Sequence, residues 1–237
     1  QVERFVAESK ELDMQWERVL LIGGEPTLHP DLIKIINIIR EGFSMPTVTK
    51  ATADDGGISG RDDLFGEEIG IKHGVGLLSN GKYKPKMLSY YEKAGYVNVD
   101  SDNKETNDQY FYPVNIAPMD NPNFKEEDND IYASIQKYCQ CPGFCLTPYG
   151  YYSCTTGFAI SRVFGLDIGI KKLKDVSKDT ITDHFKHLCK RCGYFNELAP
   201  FDVPEEHTQY TTKTKLSPSW KKAVSKYRVQ KPKLTRY

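Results

Sequence analysis

The sequence predicts an α/β protein built on a parallel sheet, followed by a small cysteine-rich domain and a basic tail. Three observations predict it. A branched apolar run ends in a glycine pair and then a helix, a strand–helix–strand rhythm follows, and six cysteines are confined to residues 139–192.

Taken in order, Val2 to Leu12 reads as a first helix. Val19-Leu20-Leu21-Ile22 is a short uninterrupted run of mostly branched residues, the pattern of a parallel strand covered on both faces. Gly23 and Gly24 remove side chains at its carboxyl end, so backbone groups there can approach a ligand closely. Glu25 supplies an acceptor at the mouth, and Pro26 keeps Glu25 out of helical geometry. Pro30 and Asp31 open a helix over Asp31–Glu41, with Leu32, Ile35, Ile36 and Ile39 at the helical period. In α/β folds ligands bind at the carboxyl ends of such strands, which makes Gly23 to Pro26 the first candidate site.

Residues Ser44–Gly74, rich in Gly, Asp and Thr, read as a loop insertion, and Gly56-Gly57-Ile58-Ser59-Gly60 within it as a flexible turn more than a phosphate cradle. Val75 to Leu78 is the next strand, with Ser79-Asn80-Gly81 as its turn. Lys86–Ala94 reads as a helix, Gly95 to Ser101 as a strand, and Tyr112 to Pro118 as a further one. Ser79, Asn80, Ser101 and Asn115 stand at the ends of these strands, where polar side chains serve either a ligand or turn chemistry.

The cysteines read Cys139-x-Cys141-x3-Cys145-x8-Cys154, then a gap of 34 residues, then Cys189-x2-Cys192-Gly193. Two thiolates two residues apart reach one metal from a tight turn, and a second pair from elsewhere closes a four-thiolate site. Gly143 and Gly193 fit such turns, and Tyr149-Gly150-Tyr151-Tyr152-Ser153-Cys154 reads as a hairpin turn leading a strand to a ligand. Iron–sulfur and zinc both fit this pattern, with a disulfide framework as the bland alternative. His184 and His187 flank the last pair; they read as solvated histidines on a helix before they read as ligands.

Gly23-Gly24-Glu25-Pro26, with Thr27-Leu28-His29-Pro30 behind it, resembles the GGEP motif of radical S-adenosylmethionine enzymes. The resemblance implies a radical S-adenosylmethionine (TIM-like) barrel, here partial and lacking its first strand. It implies that Gly23, Gly24 and Glu25 hold the amino group of the cofactor's methionine moiety, with Pro26 beside them in the cofactor-binding segment, and that Ser79, Asn80, Ser101 and Asn115 contact its ribose and methionine. An ammonium seeks a carboxylate and free carbonyls, which agrees with the residues themselves.

Cys145 to Cys154 and Cys189-Lys-Arg-Cys192-Gly193 resemble the auxiliary-cluster region, of SPASM or twitch type, that follows the barrel in many such enzymes. The resemblance passes an auxiliary 4Fe-4S cluster to Cys154, Cys189 and Cys192, with Cys139, Cys141 or Cys145 as the first ligand. Gly150 has three residues before Cys154 where four are usual. The family's catalytic cluster loop, CxxxCxxC, is missing: no cysteine precedes Cys139. The expectation is an amino-terminally incomplete fragment whose catalytic 4Fe-4S cluster occurs only in the full-length protein; a degenerate relative is the alternative.

The expected domains are a partial barrel over 1–130, a SPASM- or twitch-like iron–sulfur domain over 131–200, and a basic tail with a short helix over 201–237. The implied activity is reductive cleavage of S-adenosylmethionine to start radical chemistry on a peptide or small metabolite, with flavodoxin or ferredoxin as electron donor. The alternative class is a non-catalytic iron–sulfur or zinc protein serving electron transfer or structure.

Composition sets the outer bounds. The 237 residues carry 32 basic and 32 acidic side chains, with formal charge zero, so nothing calls for nucleic acid. A mean hydropathy of −0.55 and the lack of a long apolar run argue against a membrane span. Six cysteines without secretory features suggest metal ligands in a reducing compartment, the cytoplasm. From Thr211 onward nine Lys or Arg stand without an acid. Ser217-Pro218 reads as a helix cap there, with Trp220, Val224 and Tyr227 on one face, so the tail is expected to dock on the barrel rather than bind nucleic acid.

Overall fold

The structure is a computed structural model that describes residues 1–23, 25–45, 74–79, 98–101, 114–124, 143–193 and 216–237, with residues 78, 79 and 98–101 by backbone alone. The chain divides into two compact units, Gln1–Asp108 and Gln109–Tyr237. The boundary expected near residue 130, the helix Lys86–Ala94 and the turn 56–60 lie outside the described residues.

In the first unit, α1 (Val2–Glu11) precedes β1 (Arg18–Leu21), and α2 (Leu32–Phe43) precedes β2 (Gly74–Ser79) and β3 (Asn98–Ser101). The three strands form one parallel sheet in the order β1-β2-β3. Parallel pairing requires a crossover between strands, and α2 supplies a helix for the first one. Its Leu32, Ile36 and Ile39 are buried against Val75 and Leu77 of β2, with Val19 and Leu21 of β1 packed alongside. The helix thus turns its apolar stripe onto the sheet and ends at Ser44, which takes a left-handed conformation at φ 51°. β1 is half-buried along its length, less enclosed than its apolar run predicts. α1 lies on α2, where Gly42 leaves the room Val6 occupies: a Cβ there would come 2.9 Å from Val6 Cγ2. Phe5 meets both Trp16 and Phe43 with ring centroids 5.4 Å apart.

In the second unit, the hairpin β4 (Cys145–Thr147) and β5 (Gly150–Tyr152) runs into α3 (Thr155–Phe164), then α4 (Lys178–Leu188) and α5 (Pro218–Val229). β4 and β5 pair antiparallel with Cys145 opposite Tyr152. Gly150 sits at φ 114°, and a Cβ there would collide with the carbonyl oxygen of Ile170, which exchanges backbone hydrogen bonds with Tyr151. A capping box of Ser177 and Thr180 starts α4. Ala117, Tyr152, Ile160, Leu188, Cys192 and Trp220 form the core.

Two expectations are corrected here. Val114–Ala117 is a turn leading into a 3-10 helix, Pro118–Asp120, and not a strand. The backbone of this segment bonds to Ser217 and Gly193 instead of a neighbouring strand. The tail helix α5 is seated on the cysteine-rich unit, where Trp220 is buried in the core, edge-on to Phe164 at 5.0 Å. Ser217 holds the N-cap position of α5, yet its Oγ accepts from Ala117 N at 2.9 Å and caps nothing in its own helix. Among the described residues no helix is long and apolar enough to cross a membrane.

Candidate functional site

The sheet register builds the first candidate site. Leu21 aligns with Leu77, and Ser79 with Ser101, so the strand ends that carry Gly23, Ser79 and Ser101 share the carboxyl edge of one sheet. Gly23 has φ 125°, a conformation open to glycine, with nothing within 4 Å of where a Cβ would stand. Backbone geometry therefore favours glycine here, and among the described residues the space beside it is open. Gly24 and Asn80 lie outside the described residues, and so do the side chains of Ser79 and Ser101. Asn115 belongs to the second unit, where its carbonyl accepts from Ser217 N at 3.2 Å.

Glu25 is buried at 9% exposure, and its Oε1 accepts from Thr27 N at 3.1 Å and from Thr27 Oγ1 at 2.6 Å. It is thus the N-cap of the 3-10 helix Pro26–Leu28, with Pro26 at the first position. A side chain expected to serve a ligand has a structural task as well. The two bonds to Thr27 fix the orientation of the carboxylate.

The second candidate site lies in the second unit. Cys145 is on β4, Cys154 is the N-cap of α3, and Cys189 and Cys192 bracket the one-turn 3-10 helix that ends α4. None of the four is in a disulfide among the described residues. Cys145 Sγ donates to Cys154 O at 3.3 Å, tying the first pair together. The sulfur of Cys154 accepts from Gly157 N at 3.2 Å and lies 3.6 Å from Thr156 Oγ1. An N–H on the sulfur at a helix N-terminus stabilises negative charge there, as a metal-binding thiolate needs. Gly157 also lets α3 lie close to Leu188, the neighbour of Cys189, since a Cβ at that position would stand 2.7 Å from Leu188 Cδ1.

The Cys189–Cys192 turn is held from three sides. Cys192 N donates to Cys189 O, Gly193 N to Val114 O and Trp220 Nε1 to Arg191 O, at 3.0, 3.0 and 2.7 Å. The guanidinium of Arg191 caps α4 through the carbonyl of His187 and lies over the Phe164 ring at 5.3 Å. Cys192 is buried among Tyr152, Leu188 and Trp220. No three His, Cys, Asp or Glu side chains among the described residues are arranged to hold a metal ion. Cys139 and Cys141 fall outside those residues.

His184 differs from expectation: it is buried, not solvated, and stacks on Tyr152 at 5.5 Å. Its Nδ1 accepts from Ser153 N at 3.3 Å, which leaves Nε2–H to donate to Ile168 O at 2.7 Å. Both ring nitrogens are committed to the backbone, so the ring serves packing against Tyr152. Burial holds its pKa below the ordinary histidine value, outweighing the Ile168 carbonyl and Asp183. His187 is partly exposed, its Nε2 3.6 Å from Asp183.

Sequence reasoning missed Gly157, Trp220 and Arg191 as supports of this site. Gly157 follows a cysteine at a helix start, and small residues there invite close packing; Trp220 meets Arg191 across 29 positions, a contact that leaves no local signal. No protein-family model, curated protein or solved structure matches this chain.

Proposed function

We propose that this chain is part of a radical S-adenosylmethionine enzyme whose second unit carries an auxiliary iron–sulfur cluster. The observation that carries the reading is the sheet register, which gathers the GGEP segment and the ends of β2 and β3 at one carboxyl edge. An edge of backbone donors and acceptors with one oriented, buried carboxylate suits the amino-acid end of S-adenosylmethionine. When bound, the cofactors of that family supply a 5′-deoxyadenosyl radical that takes hydrogen from a substrate. The chain's own share is to receive the ammonium on Glu25, to bring the backbone at Gly23 close to the ligand, and to keep water from the reacting atoms.

The thiols of the second unit fit an auxiliary cluster by their chemistry: Cys154 has an N–H on its sulfur, and the Cys189–Cys192 turn is braced by Trp220 and Gly193. Cys154, Cys189, Cys192 and one of Cys139, Cys141 and Cys145 would hold it. A flavodoxin- or ferredoxin-like donor, a peptide or small-metabolite substrate and a cytoplasmic setting complete the proposal. The burial of Cys192 in the core favours a second reading, in which the thiolates bind zinc and serve folding alone.

Anaerobic reconstitution of the purified chain with iron and sulfide tests both readings. The enzyme reading expects about four irons and four sulfides per chain, as four-thiolate ligation implies. A colourless protein with one tightly bound zinc would replace it with the second.

A further inference from the structure

The two halves of the cysteine site are far apart in sequence, yet one carboxyl-terminal segment touches both. We infer that residues 216–237, helix α5 and the extended stretch behind it, act as a clasp that fixes the Cys145–Cys154 half of the site against the Cys189–Cys192 half. The inference rests on the metal-site reading above and adds positioning residues to it.

On the Cys189–Cys192 side the clasp is α5. Trp220 Nε1 donates to Arg191 O at 2.7 Å from inside the core, so the carbonyl between the two cysteines has a fixed direction. Ser219 binds Asp120 Oδ2 through its amide at 3.0 Å and its hydroxyl at 2.8 Å. Ser217 N donates to Asn115 O, and Ser217 Oγ accepts from Ala117 N. This second layer reaches the cysteines through Val114, which accepts from Gly193 N.

On the Cys145–Cys154 side the clasp is the stretch 230–237. Tyr237 N donates to Pro148 O, in the turn of the β4–β5 hairpin, at 3.1 Å. The two phenol oxygens of Tyr237 and Tyr151 are 2.8 Å apart, with the rings edge to face at 5.2 Å. Thr235 donates to Asp167 through its amide, at 3.1 Å, and its hydroxyl, at 2.5 Å. Lys171 Nζ then ties Thr235 O, at 2.8 Å, to Tyr149 O, at 2.6 Å, in the same hairpin turn.

Core formation does not account for this stretch. Val229 is 90% exposed and the residues after it are exposed or half-buried, so they bury little apolar surface. Its polar contacts instead fall on the hairpin turn and on the loop behind α3. Ligand-bearing turns held by outer hydrogen bonds keep their geometry through metal exchange, which is the service the clasp performs.

The test titrates the full 237-residue chain with Co²⁺ alone and follows thiolate-to-cobalt charge-transfer absorption. Trp220→Phe keeps the ring and removes its N–H. The double variant Thr235→Val, Tyr237→Phe keeps shape and removes both hydroxyls. Each variant should weaken Co²⁺ binding by about ten- to hundredfold, the usual effect of losing outer-shell support. Alkylation of the cobalt-loaded protein, mapped by peptide, locates the effect. Trp220→Phe should speed modification of Cys189 and Cys192, and the double variant that of Cys145 and Cys154. Unchanged affinity, or a rise at all four cysteines together, overturns the clasp while leaving the metal site standing. Absence of thiolate-to-cobalt absorption in the unaltered chain overturns the metal-site reading itself. Should Trp220→Phe fail to fold, the double variant decides alone.

Discussion

The amide of Gly157 donates to the sulfur of Cys154 across 3.2 Å, and the bare Cα of that glycine is what lets Leu188 approach. A Cβ at 157 would stand 2.7 Å from Leu188 Cδ1 and 3.1 Å from Cys154 Sγ. Two effects of Gly157→Ala oppose each other. Alanine gains about 0.5–1 kcal/mol in a helix, whereas overpacking a filled site costs about 1–3 kcal/mol. Leu188 is 1% exposed and has nowhere to move, so the second effect wins. The variant should be less stable by about 1 kcal/mol in a denaturant titration, and its metal affinity should fall. Equal or higher stability would mean that α3 and α4 can separate without loss.

His184 makes stability depend on pH in a window of its own. Burial lowers its folded pKa, and its Nδ1 faces an N–H donor, so the folded chain resists protonation there. The unfolded chain binds that proton below about pH 6.5. Stability is therefore full above that pH and falls as pH drops, by up to about 1.4 kcal/mol per unit until the folded pKa is reached. Asp167, although desolvation pulls its carboxyl upward, is held below its ordinary value by Thr235 and Lys171. Its contribution is lost only below about pH 4, a separate window. Melting temperatures between pH 7.5 and 5.5 should fall, and His184→Gln should flatten that slope. A slope unchanged by the substitution would assign it to other groups.

Periodicity explains which parts of this fold were legible. The branched run before Gly23 is an uninterrupted apolar stretch of strand length and the stripe Leu32, Ile36 and Ile39 follows the 3.6-residue period, and the structure has a parallel strand and a sheet-facing helix there. The hairpin at Tyr149-Gly150 was equally local. His184 was legible but overlooked, since it lies four residues before Leu188 on one face of α4 and is buried with it. Tyr112–Pro118 resembled a strand because Val and Ile alternate with polar residues, but its partners, Ser217 and Gly193, lie about a hundred and about eighty positions away. No local pattern encodes such contacts. The structural duty of Glu25 was hidden for a simpler reason: one carboxylate at a strand end looks the same whether it caps a turn or awaits a ligand.

Glu25→Gln separates those two roles. Glutamine keeps an acceptor for Thr27, so the 3-10 turn at Pro26–Leu28 and the fold should survive, as circular dichroism would report. The charge that would meet an ammonium is lost. Removing one partner of a charge-assisted bond costs about 1.5–3 kcal/mol, so S-adenosylmethionine binding should weaken roughly ten- to hundredfold in a calorimetric titration. Unchanged affinity would confine Glu25 to capping.

Single Cys→Ser substitutions should sort the thiols of the second unit. Cys154, Cys189 and Cys192 are the ligands the proposed cluster would take: one stands at a helix N-terminus and the other two at a braced turn. Each of their serine variants should lose iron on anaerobic reconstitution, because serine has no soft thiolate to offer. Among Cys139, Cys141 and Cys145, one should behave the same way and the other two should retain the cluster. Cys145 is the one whose sulfur is already bonded to the Cys154 backbone, and β4 opposite Tyr152 holds it in place. Its serine variant is therefore expected to cost the most iron of the three. Full iron and sulfide content in Cys145→Ser would move the first ligand to Cys139 or Cys141 and leave Cys145 as a brace of the hairpin. Full content in Cys154→Ser would break the proposed site, since no arrangement of the remaining pairs retains the helix N-terminus that steadies it.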